Sequence, residues 1–94
     1  MAHRIVWSRR AFRDLEAIAS YIAQDSPAYA SAVVKSIVSR TKSLARFPRS
    51  GRKVPEFDHE DIREVLAYSY RVIYRVQRDE VIIATVVHGR RILQ

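Results

Sequence analysis

The strongest constraint on the fold is a run of three β-prone segments in the second half of the chain. Residues 62–68, 70–78 and 80–88 are rich in β-branched and aromatic side chains, and the gaps between them are short enough for hairpins. The pattern therefore predicts a three-stranded antiparallel meander.

The first half of the chain predicts a short strand followed by a helix. Residues 4–7 are β-prone, and Ser8 stands where an N-cap would accept a hydrogen bond from a free backbone amide. Apolar residues then recur at steps of three and four, which places one set on the core-facing side of the helix: Ala11, Phe12, Leu15, Ile18, Ala19 and Ile22. The charged residues fall on other sides: Arg9, Arg13, Asp14 and Glu16.

A second helix follows almost at once. Ser26 can cap it, Pro27 is harmless at the first helical position, and Phe47-Pro48 ends it. A linker of so few residues predicts that the two helices form an antiparallel hairpin, which can cover one face of the sheet. The predicted fold class is α+β, with an N-terminal strand, an antiparallel helical hairpin and the three-stranded antiparallel meander, and with one sheet packed on the helices.

Alternation along the strands assigns side chains to the two faces of the sheet. The middle strand divides into two sets, with Val72, Tyr74 and Val76 toward the helices and Arg71, Ile73 and Arg75 away from them. The last strand is apolar on both sides, with Val81, Ile83 and Val87 on one face and Ile82, Ala84 and Val86 on the other. The last strand is thus expected to be buried on both sides.

One helical hairpin can cover only one face, so the second face is expected to stay partly open. The expected patch is apolar and framed by arginines, which is typical of a partner-binding surface: Arg71, Ile73, Arg75, Ile82 and Val86. Alternatively, the N-terminal strand or the loop of residues 48–61 folds over this face.

Composition limits the classes of function. The 94 residues are predicted to form a single domain over residues 1–94. The chain has no cysteine and three scattered histidines, so neither a disulfide framework nor a metal site is expected, and no cofactor is predicted. No apolar run reaches the ~20 residues of a membrane span, so a soluble protein is expected. The absence of cysteine fits a reducing cytosol, and a cytoplasmic protein is expected.

The net charge of +7 predicts a positive field that attracts nucleic acid, anionic lipid or acidic protein alike. No acid lies between Asp25 and Glu56, a stretch that contains seven bases: Lys35, Arg40, Lys42, Arg46, Arg49, Arg52 and Lys53. Lys35, Lys42 and Arg46 fall on one line of the second helix. This line is either a solvated helix face or a contact surface for phosphates or an acidic partner. The basic residues are not interleaved with aromatic ones, so base stacking is not indicated here.

The order of elements and several local motifs resemble the RelE/ParE superfamily of bacterial toxins from toxin–antitoxin pairs. The motifs are WS at residues 7–8, FP at 47–48, GRKVPE at 51–56, REVL at 63–66, YRVIYRV at 70–76 and HGRR at 88–91. The resemblance covers nearly the whole chain. It implies the toxin of a type II module, as in plasmid stabilisation systems, held in a hetero-oligomer by a cognate antitoxin that lies across the open sheet face and the helical hairpin.

Within this superfamily, RelE-like members cut messenger RNA on the ribosome, whereas ParE-like members inhibit DNA gyrase. RNA cleavage needs a base, an acid and cations around the phosphate. The resemblance matches Arg63, Arg71 and Arg91 to such positions, and His88 could replace a missing acid or base. Two parts of the RelE-like pattern are missing, because Val65 stands where a second strand base is expected and no tyrosine follows the late arginine.

The resemblance therefore favours a ParE-like gyrase inhibitor with no catalytic residues. Its target contacts are expected from His88, Arg90 and Arg91, and residues 89–94 are expected to lack a covering element and to contribute little to folding. The alternatives are a basic binding domain that has lost toxicity and a ribosome-dependent mRNA endonuclease built from Arg63, Arg71, His88 and Arg91.

Overall fold

The computed structural model describes residues 2–93. Two helices and five strands follow one another as β1 (Arg4–Trp7), α1 (Arg9–Ala23), α2 (Pro27–Ser43), β2 (Arg52–Lys53), β3 (Ile62–Ala67), β4 (Tyr70–Val76) and β5 (Glu80–His88). The predicted α+β class and the order of the predicted elements are confirmed.

The strands form one mixed sheet in the order β1-β5-β4-β3-β2. The meander of β3, β4 and β5 is antiparallel throughout, as predicted, and β1 joins it as a parallel neighbour of β5. The two-residue strand β2 was not predicted. It pairs with β3 from within the expected loop of residues 48–61.

Both helices begin at the predicted caps. The Ser8 hydroxyl oxygen accepts a hydrogen bond from the Ala11 amide at 3.0 Å, and the Ser26 oxygen accepts one from the Tyr29 amide at 3.1 Å. Pro27 occupies the first turn of α2, where a missing N–H costs nothing. These caps keep the linker short, so the two helices pack side by side as a hairpin on one face of the sheet.

The main core lies between the hairpin and the sheet. Its largest fully buried apolar side chains come from α2, β4 and β5 and the turn after α2: Val33, Ile37, Leu44, Val72, Tyr74, Val81 and Ile83. Phe12 was predicted to face this core, but 54% of it is exposed. The reason is rotation about the helix axis, since the buried side of α1 runs through Ala11 and Ile22, and Phe12 lies about 100° from Ala11.

A β-bulge corrects the predicted faces of the last strand. Tyr74 pairs with Ile83 but Ile73 pairs with Thr85, so Ala84 is an extra residue on β5. The alternation of side chains therefore reverses beyond it. Val86 lies in the main core and Val87 on the second face, so the predicted faces of these two residues were wrong.

Side chains of α1 and its cap satisfy the backbone at this bulge. The Asp14 carboxylate accepts hydrogen bonds from the Thr85 hydroxyl at 2.5 Å and from the Val86 amide at 3.0 Å. The Ser8 hydroxyl donates to the Ala84 carbonyl at 2.9 Å. Asp14 was placed away from the core by its position on the helix, yet it fixes α1 to the strand it covers.

Candidate functional site

The second face of the sheet is covered in part by two irregular segments. Val54 from the loop after β2 packs with Ile73 and Val87 in a small buried cluster, and Ile62 and Leu93 pack against its edge. The alternative in which the loop of residues 48–61 covers this face is thus right for this part of it.

The predicted open patch was wrong in its exposure. Ile73 is 3% exposed because the loop covers it, and Val86 is 3% exposed because the bulge turns it into the main core. Arg71 is 4% exposed because carboxylates surround it. Only Ile82, which is partly exposed, and Arg75, which is exposed, remain accessible from that set.

Arg71 is the centre of an ionic cluster that holds this face together. Its guanidinium donates two hydrogen bonds to Glu56, both at 2.8 Å, and one to Glu64 at 2.7 Å. A further bond of 2.7 Å goes to the Arg91 carbonyl. Glu64 has a fully buried side chain and also accepts from Arg52 at 2.6 Å. Arg71 is therefore a carboxylate-pairing residue of the folded toxin.

The cluster perturbs the titration of its members. Hydrogen bonding to Arg71, followed by the Leu93 amide, lowers the pKa of Glu56 from 4.5 to about 2. Hydrogen bonds to Glu56 and, to a lesser extent, to Glu64 raise the pKa of Arg71. The ion pair consequently stays charged at any physiological pH.

The segment after β5 is tied to this cluster. The Arg91 carbonyl accepts from Arg71, and the Leu93 amide donates to Glu56 at 3.0 Å. Leu93 also packs against the buried cluster of the second face. The expectation that residues 89–94 lack a covering element was wrong for residues 91–93. Residue 94 lies outside the described residues.

Beside the cluster lies an open groove of about 640 Å³. Its apolar lining combines sheet, loop and C-terminal side chains: Phe57, Ile62, Ile73, Val87, Ile92 and Leu93. Arg10, Arg75 and Arg91 are at its rim. Arg75 and Arg91 are exposed and, among residues 2–93, neither forms an ion pair with a carboxylate. Such a groove suits a segment that is both apolar and acidic.

Arg63 lies on the opposite side of the sheet from Arg71. Arg63 pairs with Tyr74, which faces the helices, whereas Arg71 pairs with Leu66. The Arg63 guanidinium is also engaged, because it donates to the Gly51 carbonyl at 2.8 Å and to the Glu60 carbonyl at 2.9 Å. Of the residues expected for a nuclease, Arg63 is therefore separated from Arg71, whereas Arg91 lies beside Arg71 and borders the same depression as His88.

The predicted target contacts lie at the end of β5 and just beyond it. His88, Arg90 and Arg91 are all exposed, and the His88 ring lies edge-on to Tyr70 with centroids 5.8 Å apart. Sequence reasoning missed the aromatic surroundings of this end. Tyr29 contacts Tyr68 edge-on at 5.7 Å, and Tyr68 has a φ of 53° in the tight turn between β3 and β4. Tyr29 and His88 are far in the sequence from Tyr68 and Tyr70, so only the packing of α2 and the pairing of β4 with β5 bring these rings together.

Within residues 2–93 no group of three or more histidine, cysteine or carboxylate side chains is arranged to hold a metal ion. In the same range, no helix has the length and apolar character to span a membrane.

Comparison with known proteins places this arrangement in a family. A family model described as the ParE toxin of type II toxin–antitoxin system, parDE, matches residues 5–93. The chain belongs to the ParE toxin family. It is also 40% identical over 89 residues to a protein of Sinorhizobium fredii named "Putative toxin Y4kP", covering 94% of this chain and 90% of that one.

Several solved structures of toxins or toxin–antitoxin systems have folds similar to that of this chain. The chain is similar to one from the chromosomal ParDE system of P. aeruginosa, with a TM-score of 0.76 and 24% identity over 93% of this chain and 96% of that one. For a YoeB dimer from Staphylococcus aureus the TM-score is 0.64 and the sequence identity 21%, over 90% of this chain and 94% of that one. For the RelBE2 complex from Mycobacterium tuberculosis the TM-score is 0.61 and the sequence identity 22%, over 94% of this chain and 92% of that one. These likenesses establish the fold of the ParE toxin.

Proposed function

We propose that this ParE-family toxin acts in the cytoplasm on DNA gyrase and is neutralised by a cognate antitoxin. The observation that carries the choice of target is the separation of Arg63 and Arg71 onto opposite faces of the sheet. A RelE-like nuclease would need both cations around one phosphate.

The two arginines are also committed to internal partners. Arg71 binds two carboxylates and a carbonyl, and Arg63 binds backbone carbonyls on the other side. Cations that stabilise a pentavalent phosphate must be aimed at the position where its charge develops. Freeing Arg71 for that purpose would leave the buried Glu64 with only the exposed Arg52 as a counter-ion. This favours a toxin that acts by contact.

The target is tested with two assays on the same purified toxin. In a gyrase supercoiling assay we expect inhibition, and with programmed ribosomes we expect the mRNA to stay intact. His88→Ala and Arg91→Ala serve as controls in the ribosome assay. Specific mRNA cleavage that either substitution abolishes would replace the gyrase proposal with the nuclease.

The groove on the second face is proposed to bind the antitoxin through a segment that is apolar and acidic. Support comes from the apolar lining and from Arg75 at the rim, which is exposed and has no carboxylate partner among the described residues. Arg75→Glu should weaken the complex by ~2–5 kcal/mol if the charge pair is buried there. Isothermal calorimetry with the antitoxin encoded beside the toxin gene measures this.

Arg78→Glu is the matched control, since Arg78 is exposed, lies in the turn after β4 and does not line the groove. It should change the affinity by well under ~1 kcal/mol. Equal affinities for the two variants would place the antitoxin elsewhere on the toxin.

A further inference from the structure

The side of α2 that faces away from the core carries cations and no acid. Buried positions of α2 include Val33 and Ile37, and the opposite side passes through Lys35 and Lys42, which lie about two turns apart. Arg46 continues this line in the turn that follows the helix. All three are exposed, and together they are called the α2 basic stripe.

The α2 basic stripe differs from the other basic region of the toxin. Every base on or beside β2 and β3 has a carboxylate partner: Arg49, Arg52, Lys53 and Arg63. Within residues 2–93 no carboxylate pairs with Lys35, Lys42 or Arg46. Three unpaired cations on one helix line produce a local positive field that the fold does not neutralise.

The residues around the α2 basic stripe indicate which class of molecule it can bind. The exposed residues between its cations are Ser39, Ser43 and a further base, Arg40. The large exposed apolar or aromatic side chains Tyr29 and Phe47 lie at or beyond the helix ends. A protein interface has an apolar centre, which this surface lacks. Single-stranded nucleic acid is bound by aromatic stacking, and no aromatic residue lies along the stripe.

We propose that the α2 basic stripe binds the phosphate backbone of duplex DNA without reading its sequence. Such contacts need cations at helical spacing and hydroxyl or amide donors, and they need no apolar surface. The choice of DNA over duplex RNA rests on the proposed function, because gyrase works on DNA. The phosphate contact itself rests only on the stripe.

Fluorescence polarisation tests the proposal with the toxin alone and a fluorescein-labelled 20-base-pair DNA duplex, titrated at several salt concentrations. The variant Lys35→Gln/Lys42→Gln/Arg46→Gln should bind at least ~10-fold more weakly at low salt. Its slope of log K against log salt should be shallower by about 2–3, since each phosphate contact contributes about 0.9. Glutamine is a good helix former, and circular dichroism checks that α2 is retained.

The control variant Arg9→Gln/Arg13→Gln/Arg78→Gln removes the same charge from exposed positions that have no ion pair among the described residues. This control variant should keep at least half of the wild-type affinity for DNA, and its slope of log K against log salt should equal that of the wild type. Equal losses in the two variants, or no binding by the wild type at 50 mM salt, would overturn the proposal.

Two further arms identify the ligand. If polyglutamate displaces the labelled duplex as effectively as unlabelled DNA does, the stripe would be assigned to an acidic protein and the DNA-binding proposal would be overturned. A duplex RNA of the same length that binds ~10-fold more tightly would also overturn it. Gyrase is absent from these binding assays, so a toxin that binds DNA through the stripe but fails to inhibit supercoiling would contradict only the proposed target. A wild-type toxin that inhibits supercoiling but does not bind DNA would contradict only this inference.

Discussion

The two faces of the sheet are stabilised by different physics. The face under the helices is dry and apolar, with Val72, Tyr74 and Ile83 fully buried beneath α1 and α2. The second face has a much smaller apolar cluster around Ile73, and an arginine with two carboxylates closes it. Burial is non-directional and tolerates many sequences, whereas an ionic cluster requires particular partners at particular positions.

The difference follows from the number of elements available to cover the sheet. One helical hairpin covers one face, so the other depends on a loop and on residues 91–93. These segments contribute little apolar area, and Arg71 connects them to β3 through hydrogen bonds. The second face should therefore be more sensitive to charge and pH, and the helix-covered face to changes in volume.

The largest effect is expected from removing the central charge. Arg71→Ala removes the buried counter-ion of the Glu64 carboxylate and leaves only the exposed Arg52 beside it. The substitution should lower the free energy of unfolding by ~3–5 kcal/mol, as measured by urea denaturation. Arg75→Ala, on the same strand and face but exposed, should change it by less than ~0.5 kcal/mol. Arg71→Met combined with Glu56→Gln and Glu64→Gln should recover much of the loss. A single substitution no worse than the control would show that the cluster does not stabilise this face.

A matched pair of isoleucines compares the apolar parts of the two faces. Ile83→Ala, in the main core, should cost ~3 kcal/mol and Ile73→Ala, in the small cluster, ~2 kcal/mol. The Ile73 site borders an irregular loop that can relax into the cavity left by the substitution, whereas helices and strands surround the Ile83 site. Urea denaturation of both variants gives the comparison, and a larger cost for Ile73 would reverse it.

The bulge in β5 decides which apolar residue each face receives, so its support can be tested separately. Asp14→Ala removes the acceptor for the Val86 amide and the Thr85 hydroxyl and should destabilise the protein by ~1–2 kcal/mol in thermal unfolding. Glu16→Ala, on an exposed side of α1, should be within ~0.5 kcal/mol of the wild type. Matching melting temperatures for the two variants would contradict the role given to Asp14.

The smallest effect on the two faces is expected from lowering the pH until Glu56 is protonated. The folded-state pKa of Glu56 is lowered to about 2, so its contribution is complete above its ordinary value of 4.5 and is lost as the pH falls through about 2. As the pH falls toward about 2, the Arg71 Nη and Leu93 amide resonances should shift, because these groups donate to Glu56. The fluorescence of Trp7, which packs against the main core, should stay constant. Simultaneous change of both signals would mean that the two faces do not respond separately. Glu56→Gln should remove the pH dependence of the Leu93 signal.

Local sequence determined much of this fold. Ser8 and Ser26 mark the helix starts, Pro27 fixes the hairpin turn, and the β-prone segments specify the meander, because each depends on neighbours along the chain. The core positions of α2 and β4 were also predictable, since a helix buries residues at steps of three and four and a strand buries alternate ones. The motifs that resemble the RelE/ParE superfamily are sufficient to indicate the family without the structure.

Tertiary structure decided the second face. The extra residue at Ala84 exchanges the faces of Val86 and Val87, and periodicity cannot locate a bulge whose support comes from Asp14 on a distant helix. Arg71 looked like an accessible contact, yet it is buried because Glu56, Glu64 and the Arg91 carbonyl meet around it from three separate parts of the chain. Contacts between residues so far apart depend on strand order and register, and the local pattern of residues carries no record of either.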